Sequence, residues 1–127
     1  MRKYWKQMAE ERLREYDALC RRAESLTEEL KVVPLTGKAG SPARINCIAK
    51  RRFLRQQLKV VKARKAQADR GLAALTPQER LVVQMLDIAP ARGNGAKLCQ
   101  LLDCEIASIY RRRDRALKRF SDGVFLS

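Results

Sequence analysis

The chain has 127 residues, with 28 Lys and Arg against 14 Asp and Glu, and a formal net charge of +14. That length favours one domain, or one domain with an appendage, and that charge points to a polyanionic partner, nucleic acid first. The absence of histidine removes the usual general base and metal ligand, and no apolar run approaches the ~18 residues of a membrane span.

The remaining composition argues against catalysis. Cys20, Cys47, Cys99 and Cys104 form no C-x-x-C pair, and each falls in or beside an apolar helical pattern. They are expected as small buried residues in a reducing cytosol, not as metal ligands or nucleophiles. No paired carboxylates suggest an acid/base site, so neither an enzyme nor a cofactor is expected. The few aromatics do not favour stacking platforms for single strands. Met1–Lys6 is basic but leads into a charged helix, not an apolar signal segment, so a cytoplasmic protein is expected.

Charge divides the chain into three blocks. Met1–Lys31 has 8 basic and 7 acidic residues, Val32–Ala74 has 11 and 1, and Leu75–Ser127 has 9 and 6. The first block reads as one long helix. Tyr16, Leu19, Ala23, Leu26, Leu30 and Val33 recur at steps of three and four, and Trp5, Met8 and Leu13 extend the apolar face upstream. The helix should stop near Val33-Pro34, because the residue before proline avoids the helical region. Leu35–Ser41 reads as a flexible loop; it lacks the order of a phosphate-binding loop.

Ser41-Pro42 should start the second helix, with serine as N-cap and proline at the first helical position. Its seam runs Cys47, Leu54, Leu58, Val61, Ala68, Leu72 and Leu75, with Arg51 and Lys65 at two seam positions. Two such stripes cover each other in an antiparallel hairpin or between chains, as in a homodimer. Away from the seam, Lys50, Arg52, Arg55, Lys59, Lys62 and Arg64 form an expected phosphate-contacting ridge, since a merely solvated face mixes signs.

Thr76-Pro77-Gln78-Glu79 is a capping box with proline at the first helical position. Leu81, Val82, Met85, Leu86 and Ile88 mark the buried face of the helix that follows, and Pro90 ends it. Ala91–Gly95 is a loop in which Asn94 can cap the next helix. Ala96–Leu102 forms a short helix. Asp103-Cys104 makes a tight turn, with Asp103 expected to cap the last helix and Cys104 to pack inward. In the last helix Ile106, Ile109, Ala116, Leu117 and Phe120 are the apolar positions. Glu105, Ala107, Ser108, Arg111, Arg112 and Arg115 then lie where a recognition helix touches base edges. Lys97, Arg113, Lys118 and Arg119 are expected on phosphates, although Lys118 and Arg119 equally suit the negative end of the helix dipole.

These features define an all-α chain: a long helical hairpin over residues 1–74 and a helix-turn-helix over 75–127. The motif LTPQERLVVQML followed by LCQLLDCEIASIYRRRDRALKRF resembles the fourth-region helix-turn-helix of bacterial sigma factors. Leu98-Cys99 stand in the I-A place of that pattern, Leu102 at its leucine, Asp103 at the turn glycine, Ser108-Ile109 at T-V and Ala116-Leu117 at A-L. With the two long helices upstream, nearly the whole chain resembles phage late-gene transcription regulators of the RinA/ArpU type. The resemblance implies a small activator that binds double-stranded DNA and acts with host RNA polymerase. The chain departs from the pattern at Asp103, which must adopt the turn conformation without being glycine, and at Glu105, where serine is usual. Nothing resembles the promoter-melting regions of a full sigma factor. Two other readings remain open: a DNA-packaging protein like a small terminase subunit, and a polymerase-binding protein with weak DNA contact.

Overall fold

The computed structural model describes residues 4–126, and the secondary structure within them is helical throughout. The elements are α1 (Tyr4–Arg14), α2 (Tyr16–Val32), α3 (Pro42–Ala73), α4 (Pro77–Val83), a π-helical turn (Gln84–Ile88), α5 (Asn94–Leu102) and α6 (Ile106–Phe125). The single helix expected at the start is interrupted at Glu15, which separates α1 from α2. None of the described helices is long and apolar enough to cross a membrane.

The chain forms two compact units. One joins the segment up to Asp17 with the segment from Ala66 onward, and the other is Ala18–Lys65. The division expected between residues 74 and 75 falls inside the first unit, because α1 and the last turns of α3 pack with the C-terminal helices. Ala9 and Leu13 of α1, Ala68 and Leu72 of α3, and Ala116, Leu117, Phe120 and Val124 of α6 share one core, with Val83 and Ile88. The close crossing of α3 and α6 depends on glycine. A Cβ at Gly71 would stand 2.6 Å from Phe120, and one at Gly123 would stand 2.9 Å from the Cα of Gly71. A second core in this unit joins Val82, Leu98 and Ile109, and so fixes α4, α5 and the first half of α6 on one another.

In the other unit, the expected stripes of α2 and α3 meet within one chain. Leu26, Val33, Leu54 and Val61 are buried together, with Leu19, Ala23, Leu30 and Leu58 packed against them. The start of α3 is set as expected: the Arg44 backbone N–H donates to Ser41 Oγ at 3.2 Å, and Pro42 follows the cap. Arg51, at a seam position, is half-buried, and its Nε is buried without a hydrogen-bond partner among the described residues. Its Nη2 donates at 2.9 Å to the carbonyl of Val33, one of the backbone acceptors that a helix end leaves without an intrahelical partner. The four cysteines are half-buried, not buried. Among them, Cys99 and Cys104 pack on the Val82–Leu98–Ile109 core, while Cys47 lies 3.4 Å from the Thr36 hydroxyl.

Candidate nucleic-acid interface

The capping box at the start of α4 is complete. Glu79 N–H donates to Thr76 Oγ1 at 3.2 Å, and Thr76 N–H donates to Glu79 Oε1 at 3.0 Å. Two donors that a helix start leaves unsatisfied are thereby paired. After α4 the backbone widens into the π turn, which places Asp87 in the interior. The link to α5 is held by Asn94. Contrary to the expectation from sequence, its side chain does not cap its own helix. Gly93, at φ 85°, takes the cap position, and Asn94 Nδ2 reaches back to the carbonyls of Met85 at 2.7 Å and Ala89 at 3.4 Å. A buried amide thus serves the carbonyls at the end of the preceding helix, where acceptors are in surplus.

Between α5 and α6 the chain turns on Asp103, in the left-handed conformation at φ 49° and ψ 57°. Aspartate is one of the few non-glycine residues that tolerate this region. Asp103 therefore ends α5 and is not the N-cap of α6. That position belongs to Glu105, whose backbone is extended and whose side chain makes no capping bond. Ile109 is fully buried beneath the turn, so its burial fixes which face of α6 points outward.

At about 3.6 residues per turn, the outward face of α6 carries Ala107, Arg111, Arg115 and Lys118 in one line. Ala107, Arg111 and Arg115 are exposed. Half-buried Ser108 sits beside the line and accepts a hydrogen bond from Arg111 Nη2 at 2.9 Å. Arg112 and Arg119 occupy the flank facing α4. Arg112 Nη1 donates to Gln78 Oε1 at 2.6 Å, and Arg119 Nη1 to Glu79 Oε1 at 3.0 Å. Arg115 lines a cleft of about 200 Å³ with these two arginines, Thr76, Gln78 and Glu79. On the opposite flank, α1 lies along α6. Lys6 pairs with Asp114 at 2.8 Å, and Lys118 stands 5.1 Å from the Trp5 ring centroid and 3.3 Å from Asp122.

Arg113 is not available to a phosphate. Its guanidinium grips Asp87 through both Nε and Nη2, at distances from 2.6 to 3.2 Å, with Glu10 at 3.8 Å. The hydrogen bonds to Asp87 hold Arg113 above its ordinary arginine range, against the effect of burial. It joins α1, the π turn and α6. The sequence showed it only as one of three consecutive arginines, Arg111 to Arg113. Lys6 and Gln78, which flank the outward face, were not singled out by the sequence, since neither sits in a recognition-helix pattern.

The expected ridge on α3 is not one face. At about 3.6 residues per turn, Arg52, Arg55, Lys59 and Lys62 share one flank with Arg44, whereas Lys50 and Arg64 project from the other side. Lys50, Arg52, Arg55, Lys59, Lys62 and Arg64 are all exposed, as is Lys97 on α5. No protein-family model matches this chain, and no characterised protein or solved structure matches it.

Proposed function

We propose that this chain is a sequence-specific double-stranded DNA-binding transcription regulator. In this reading α5, the Asp103 turn and α6 form a helix-turn-helix, and α2 with α3 form the helical hairpin that precedes it. The observation that carries the reading is the line Ala107–Arg111–Arg115. It projects from a helix whose opposite face is fully buried, directly after a tight left-handed turn. A helix so presented can enter a major groove, where arginine grips guanine O6 and N7.

The roles divide by position. Arg111 and Arg115 read base edges, with Ala107 and Ser108 close enough to touch a thymine methyl or a base acceptor. Glu105, at the helix start, accepts from cytosine. Arg112 and Arg119, already oriented by Gln78 and Glu79, contact phosphates on one side of the groove, and Lys97 and Lys118 add charge nearby. The resemblance to RinA/ArpU-type regulators extends the proposal to a phage late-gene activator acting with host RNA polymerase.

The test is recovery of bound genomic fragments, followed by competition between the recovered site and random DNA. Arg111→Ala with Arg115→Ala should remove the preference for the site while weak, salt-sensitive binding persists. Retained preference in the doubly substituted protein overturns α6 as the reading helix.

A further inference from the structure

α3 is apolar on two faces. One is buried against α2. The other runs Ile45, Ala49, Phe53, Gln56 and Val60, at steps of four, four, three and four, on the side away from the core. Ile45 is 55% exposed, Phe53 59% and Val60 66%. Beside this line, on one flank, stand Arg52, Arg55, Lys59 and Lys62, while Lys50 and Arg64 stand on the other. Among the described residues no carboxylate pairs with any of the first four, and the only acidic residue of the middle block is Asp69, beyond this face.

We propose that this face of α3 docks an acidic amphipathic helix of a partner protein. The partner's apolar side chains, three and four residues apart, seat on Ile45, Phe53 and Val60, and its carboxylates meet Arg52, Arg55, Lys59 and Lys62. Charge and shape select this occupant. A second copy of α3 would bring cations against cations, because residues 42–65 contain nine basic and no acidic residues. The α2 helix of a second copy offers Glu24 and Glu28 but exposes only Val32 as a large apolar side chain. A nucleic-acid backbone would satisfy the basic flank and leave Ile45, Phe53 and Val60 in water. A bilayer surface takes a broad apolar face, whereas this line is interrupted by Gln56, and Ile48, the other large exposed apolar side chain of α3, stands among the basic residues of the flank.

The test uses the full chain and a fluorescein-labelled designed helix with leucines at three-and-four spacing and glutamates along one flank, followed by anisotropy. A twin with lysines replacing the glutamates, and a glutamate-flanked version with serines replacing the leucines, serve as controls. The acidic helix should bind saturably and the two controls at least tenfold more weakly. Phe53→Ser with Val60→Ser should weaken the acidic helix about tenfold, with unchanged helical circular dichroism and unchanged affinity for the DNA site. Arg55→Glu with Lys59→Glu should shift preference to the lysine twin. The proposal is overturned by equal binding of the serine version, by no effect of the Phe53 and Val60 substitutions, or by no saturable binding. It is equally overturned by a wild-type dimer that the Phe53 and Val60 substitutions dissociate, or by phosphatidylglycerol vesicles that bind this face more tightly than the helix. Because site-specific DNA binding is read in parallel, loss of this proposal and loss of the DNA-binding reading give different results.

Discussion

α6 and α3 are both basic helices, yet their cations stand in opposite circumstances. On α6 most are engaged: Arg113 by Asp87, Arg119 by Glu79, Arg112 by Gln78, and Lys118 by Asp122 and Trp5. Arg111 and Arg115 on the outward line pair with no carboxylate among the described residues, and Arg112 and Arg119 are held in place beside them. On α3 the flank of Arg52, Arg55, Lys59 and Lys62 pairs with no carboxylate among the described residues, but it borders an exposed apolar line. A charge count over a segment therefore does not locate a recognition face. Carboxylates and amides on other elements decide which arginines are free, and the apolar residues beside a cation decide which kind of ligand it suits.

The largest expected effect comes from breaking an engaged cation. Asp87→Ala strands the Arg113 guanidinium in a half-buried site and removes its bidentate partner. Loss of one member of a buried pair costs about 3–5 kcal/mol, and the partial exposure of Arg113 places this case near about 3 kcal/mol. Urea denaturation should show that loss, while Arg55→Ala on α3 should stay within about 0.5 kcal/mol of the parent. Equal costs at the two sites would abolish the distinction between engaged and open cations.

Gly71→Ala probes the crossing that holds α6 in place. The added methyl meets Phe120 and Val124 in a filled core, and overpacking of this kind costs about 1–3 kcal/mol. Approaches of 2.6–2.7 Å put the overpacking in the upper part of that range, about 2–3 kcal/mol, and alanine's better helix propensity returns up to ~1 kcal/mol, so the net loss should be about 1–2 kcal/mol. A neutral or stabilising result would mean that the two helices do not approach as closely as Gly71 and Gly123 allow.

Much of this arrangement is legible in the sequence where a local chemical rule decides it. Thr76 with Glu79, and Ser41 before Pro42, each name a helix start because side chain and orphan backbone donor lie within one turn. The paired stripes through Leu26 and Val61 follow from periodicity. Other features depend on partners distant in sequence. The apolar spacing of α1 marks Leu13, but not Ala9, as buried, and it does not show that α6 packs on them, so the helix break at Glu15 is hidden. The π turn adds no local signal, and it is this turn that carries Asp87 to Arg113. Arg51 stands at a seam position, and nothing local shows that its Nη2 reaches the carbonyl of Val33. Gly71 looks like a weak point in a helix until Phe120 is placed against it.

On DNA, Arg111→Ala should reduce discrimination at one base position by about 1–3 kcal/mol, measured by competition against single-base variants of the recovered site. Arg112→Ala should instead weaken all sequences similarly and lower the salt slope by about one, as expected of a phosphate contact. Loss of discrimination at Arg112 and not at Arg111 would reverse the assignment of outward face and flank.

The smallest expected effect is the most informative about α3. If Arg55 and Lys59 contacted phosphate, replacing both with alanine would release about two fewer counterions on binding and lower the slope of log affinity against log salt by about 1.8. The proposed protein-docking role of that flank predicts a slope changed by less than about half a unit, since neither side chain would reach the duplex. Titrations of the recovered site at several salt concentrations separate the two outcomes without requiring the partner to be known. A drop near two would return α3 to the DNA interface and leave its exposed apolar line without a function tied to the neighbouring charge. An unchanged slope would mean that the densest positive charge in the chain serves something other than the DNA proposed as the ligand of α6.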